Sequence, residues 1–140
     1  MTRRVFERLV IGAILALPEK IRREIQNVAF VVERRPGARS GRRPARGPAG
    51  DARSGDFLLG LYEGLPRTVW GREYSGKLPD KITIFQEPIE RLASWPEEIP
   101  EMVRHTVWHE IGHYLGFDDR RLRALERKWK RQPPGATADP

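Results

Sequence analysis

The chain has 140 residues, with 26 Lys and Arg against 19 Asp and Glu, a formal net charge of +7 and no cysteine. That length accommodates one domain with a real core. The lack of thiols excludes disulfides and cysteine zinc sites and leans towards a cytoplasmic setting, while the positive balance makes acidic partners worth testing.

At the N-terminus, Arg3 and Arg4 followed by apolar residues 9–17 have the outline of a twin-arginine export signal. Glu7 and Arg8 interrupt it, however, and Pro18, Glu19 and Lys20 stand where small cleavage-site residues belong. The preferred reading is an amphipathic helix that turns Val5, Phe6, Leu9, Val10, Ala13, Ile14 and Leu17 inward. The run is far short of the ~20 residues of a membrane span, so no membrane association is expected. Pro18 suits the start of a second helix running to about Gln26, and the β-branched stretch 28–32 reads as a buried strand.

Residues 34–56 are rich in Arg, Gly, Pro and Ser and contain no aliphatic side chain beyond alanine. Such a segment buries too little apolar surface to offset its ordering entropy, and a flexible basic insert is expected at about 36–55. It is either a solvated insertion or a salt-sensitive contact for nucleic acid or an acidic protein; with no aromatic residue among the arginines, base stacking has no support. Strands are expected at 57–63 and 81–86. Between them residues 68–80 read as a loop carrying Trp70 and Tyr74, and residues 87–93 as a short helical turn.

Acidic Glu97, Glu98 and Glu101 around Pro100 suit the positive end of a helix dipole. Val103, Val107, Ile111 and Leu115 then recur every four residues and should face the core. The same helix carries His109-Glu110-Ile111-Gly112-His113, followed by Gly116 and Asp119, in the order H-E-x-x-H-x-x-G-x-x-D. Residues four apart share a helix face, so His109 and His113 can grip one metal ion. Glu110 lies about 100° round from the first ligand, where it can serve as a base without being a ligand. Gly116 permits a left-handed turn, after which Asp119 can return to the metal as third ligand. Asp118 and Glu126 are the rival third ligands. His105 completes an i+4 row but stands about 12 Å along the axis from His113, too far to share an ion. A basic helix from about 120 to 131 presents Leu122, Leu125 and Trp129 inward, and residues 133–140 read as a disordered tail.

With these residues in view, the chain resembles the zincin metallopeptidases. It is most similar to small bacterial zincin-like members that consist of little beyond the catalytic domain. The likeness rests on His109, Glu110, His113, Gly116 and Asp119, together with segments 57–64 and 78–84. The pattern departs from the metzincins in having Asp as third ligand and no methionine after the motif. The resemblance implies an α+β fold: one domain over residues 1–132 with a small mixed sheet beside the active-site helix and flanking N- and C-terminal helices. It also implies zinc-dependent hydrolysis of a peptide or protein substrate with Glu110 as general base and acid. By the same resemblance the substrate pairs with an edge strand, for which Ile82, Thr83, Ile84 and Phe85 are the candidates. The competing reading is a zinc-stabilised protein- or nucleic-acid-binding module with little turnover.

Overall fold

The computed structural model describes residues 1–25, 27–37, 51–54, 57–64 and 80–131, and only the backbone of 51–54, 119, 126 and 129–131. The Trp70 and Tyr74 loop, most of the basic insert and the C-terminal tail lie outside the described residues.

Helix α1 (Arg3–Leu15) starts at Thr2, whose hydroxyl accepts a hydrogen bond from the Val5 amide at 3.2 Å. Phe6, Val10 and Ala13 on one face, and Leu17 just beyond, are buried; Leu9 and Ile14 pack at the margin. Val5, expected inward, is exposed, because the stripe that meets the core is narrower than the run of apolar letters. Arg3 and Arg4 thus sit in the first turn of a folded helix, and no described helix is long and apolar enough to cross a membrane. A short helix α2 (Glu19–Glu24) leads into the sheet.

The sheet has the order β1-β4-β3-β2, with β1 (Val28–Glu33), β2 (Asp51–Ser54), β3 (Phe57–Glu63) and β4 (Asp80–Phe85). β1 runs parallel to β4, and the other two pairings are antiparallel. Two expectations change here. Residues 51–54, assigned to the flexible insert, form a strand whose pairing with β3 carries a bulge between Ala52 and Arg53. Backbone pairing with a neighbour needs no aliphatic side chain, so composition gives no sign of it. In addition, β4 is an interior strand. It is paired on both sides, Val31 with Thr83 from one side and Leu61 with Thr83 from the other. Ile82, Thr83, Ile84 and Phe85 are buried and present no free edge, so they cannot be the substrate-pairing strand. Among the described strands the sheet ends at β1 and β2.

After β4 come α3 (Gln86–Leu92), a 3-10 turn at Pro96–Glu98 and the central helix α4 (Ile99–Tyr114). The four-residue repeat does face inward: Val103, Val107 and Ile111 are fully enclosed and Leu115 nearly so. They close a core with Ile82, Ile84 and Ile89 beneath and Phe6 and Val10 of α1 to the side. The last helix, α5 (Asp119–Arg131), follows after a four-residue turn.

Candidate metal centre

The site is built on the last turn and a half of α4. His109 is half-buried and His113 buried, and their rings meet nearly edge to face, centroids 4.6 Å apart and planes at 80°. Their Nε2 atoms lie 3.0 Å from each other. An ion held at about 2.0–2.1 Å from each imidazole nitrogen fits that separation, so the pair suits zinc. His105, by contrast, is exposed, and its ring is stacked beside His109 at 6.3 Å.

Glu110 is completely buried, and both of its carboxylate oxygens are closed to bulk water. What admits it is a glycine on the strand below. A Cβ on Gly60 of β3 would stand 2.7 Å from Thr106 Cγ2, 3.2 Å from Glu110 Cγ and 3.3 Å from the Thr83 carbonyl oxygen. The helix can therefore lie against the sheet with its carboxylate inside the interface. In the sequence Gly60 shows only as a strand residue; the signal it carries is a glycine in a strand interior, which marks close approach of another element. Gly60→Ala is expected to lower unfolding stability by about 1–3 kcal/mol through overpacking. Thr106→Ser, which removes the crowding methyl, should recover part of that loss in denaturant titrations. Unchanged stability in Gly60→Ala would contradict the close packing described.

A second pair of side chains steadies the end of α4. The Tyr62 hydroxyl donates to Asp80 at 2.7 Å, and Tyr114 meets the Tyr62 ring edge-on, centroids 5.9 Å apart at 78°. Burial, followed by the hydrogen bond to Asp80 and that residue's charge, pushes the Tyr62 phenol well above the ordinary tyrosine range. Tyr62 therefore stays protonated, and a hydrogen-bond donor, at any ordinary pH.

α4 stops as the motif requires. Gly116 adopts φ +88°, with its amide bonded to the His113 carbonyl at 3.0 Å and the Phe117 amide to the Gly112 carbonyl at 2.9 Å. This double closure is the Schellman form of helix end. Asp118 then caps α5: its Oδ1 accepts from the Arg121 amide at 2.8 Å. That rival third ligand is exposed and engaged in starting the next helix. Asp119 is the first residue of α5. Its side chain, like that of the other rival Glu126, lies outside the described residues, and no group of three metal-ligating side chains occurs among the described ones. Beside the turn is an open cavity of about 470 Å³ lined by Gly116, Phe117, Asp118, Arg120, Arg121 and Ala124. The Arg121 guanidinium lies 4.7 Å over the Phe117 ring.

Against known proteins, a model of the zincin-like metallopeptidase family matches residues 25–129. No curated protein matches the chain. Among solved structures, it is similar to a conserved hypothetical protein from Thermo thermophilus, at 22% identity and a TM-score of 0.49, over 91% of this chain and 99% of that one.

Proposed function

Because the chain belongs to the zincin-like metallopeptidases, we propose that it hydrolyses peptide bonds using zinc held by His109, His113 and Asp119. The observation that supports this most directly is the 3.0 Å convergence of the two Nε2 atoms next to an enclosed Glu110. Bound zinc supplies Lewis acidity, polarising the scissile carbonyl and lowering the pKa of water towards about 7. The protein's own residues do the rest. Glu110, the neighbour of the first ligand and turned off the ligand face, accepts the proton of the attacking water and returns it to the leaving amine. The edge-on contact of Tyr114 with Tyr62, whose hydroxyl is fixed on Asp80, holds the end of α4, and with it His113, against the sheet. An extended substrate is expected along β2, a strand that contacts α4 and ends the described sheet.

The test is a peptide-library digest with the purified protein. Cleavage should disappear on chelation and return when zinc is added back at stoichiometric amounts. Cleavage that persists after complete metal removal, or none with the metal-loaded protein, would remove the reading of a zinc-dependent peptidase.

A further inference from the structure

The region between the two histidines has a second feature that the motif does not explain. Gly112 is buried, and a Cβ placed on it would overlap Leu122 Cδ2 and come within 2.9–3.0 Å of Leu122 Cγ and Cδ1. Leu122 of α5 therefore fills a notch in α4 that only glycine leaves open. Leu122 is 1% exposed. Every other described side chain of α5 is exposed, apart from half-buried Leu125. A thirteen-residue helix dominated by Arg and Lys has little intrinsic stability, so its position is set by where it is anchored.

We propose that Leu122, seated in the Gly112 notch, is a positioning residue for the metal: it holds the Asp119-bearing end of α5 against the histidine pair, so zinc affinity and docking of α5 on α4 are one coupled equilibrium. This rests on the reading of Asp119 as third ligand. Leu122 follows Asp119 by three residues, so the two lie on neighbouring positions of one helix face. The Leu122 amide bonds the Asp118 carbonyl at 3.0 Å, and Asp118 caps the same turn. Residues 118–122 thus move as one rigid turn, and seating Leu122 fixes the backbone of Asp119. The other end of the connection is fixed by the left-handed Gly116 turn on His113. Coupling of this kind is reciprocal: if docking strengthens zinc binding, zinc must strengthen docking by the same factor.

The experiment uses zinc alone, titrated against a chromophoric chelator, on the full chain with its fold checked by circular dichroism. Leu122→Ala and Gly112→Ala are each expected to weaken zinc binding about 10–100-fold, the range for residues that orient metal ligands. The double variant Gly112→Ala/Leu122→Ala, in which the new methyl occupies the space vacated by leucine, should bind zinc more tightly than either single variant. Should a single variant fail to fold, Leu122→Val shortens the knob by one methylene and serves in its place. In the wild type, zinc should also slow hydrogen exchange across α5, and in Leu122→Val that protection should shrink. Folded single variants with wild-type zinc affinity, or a double variant whose losses simply add, would overturn the proposal. Asp119→Ala separates the two readings. Unchanged zinc affinity there removes the third-ligand reading and this proposal together. Weakened binding in Asp119→Ala beside unchanged binding in Leu122→Ala removes the proposal alone.

Discussion

Glu110→Gln should keep its zinc and lose its catalysis. Gln is nearly isosteric with Glu, so the fully enclosed side chain and its contact above Gly60 are retained. What disappears is the ability to take a proton from water. General acid–base groups contribute about 10²–10⁴-fold, and kcat is expected to fall by that factor with metal content unchanged. A wild-type rate in Glu110→Gln, measured on the peptide identified in the library digest, would falsify the role given to this carboxylate.

His113→Ala is expected to show the largest change in metal binding. His113 is 6% exposed, and its Nε2 is half of the nitrogen pair, so the substitution leaves one imidazole where two converged. Stoichiometric zinc should be lost on gel filtration, as read by elemental analysis. Zinc at a hundred times its dissociation constant stabilises a folded protein by about 2.7 kcal/mol. At about 4 °C per kcal/mol for a domain of this size, that is a rise in Tm of about 10 °C for the wild type. The variant should show no such rise, and its metal-free form should also melt lower because a packed ring has been removed. A zinc-dependent shift of wild-type size in His113→Ala would show that the ion binds elsewhere.

Much of this molecule is legible in its letters, for a definite reason. Helical periodicity and the i, i+4 relation act within one segment, so residues 103–115 declare both an inward row and a histidine pair without any knowledge of their neighbours. The chemistry of a left-handed turn is equally local, and Gly116 ends α4 where its position in the motif says it should. The limits of β1, β3, β4 and α3 are readable on the same basis, from short apolar runs and their punctuation.

Relations between segments are another matter. Residues 82–85 look the same whether they edge a sheet or cross its middle; only the parallel pairing of β1, whose residues lie 52 positions before their partners in the chain, closes the edge that the resemblance leaves open. Strand β2 hides in an arginine-rich stretch because a backbone ladder can form with little help from side-chain composition. Asp118 and Asp119 are chemically identical and adjacent, and cap geometry assigns the first to α5. Gly60 and Gly112 reveal their purpose only when Thr106 and Glu110 are seen crowding the place of a Cβ on the first and Leu122 filling it on the second. The sequence by itself thus determined the helix, the four-residue spacing of its histidine pair and the place of the candidate base beside it, all set by a repeat of a few residues. Tertiary structure alone decided which strand is interior, how deeply Glu110 is enclosed and how α5 is anchored. Those depend on packing between elements distant in the chain, and close packing is a property of pairs of surfaces that neither surface carries alone.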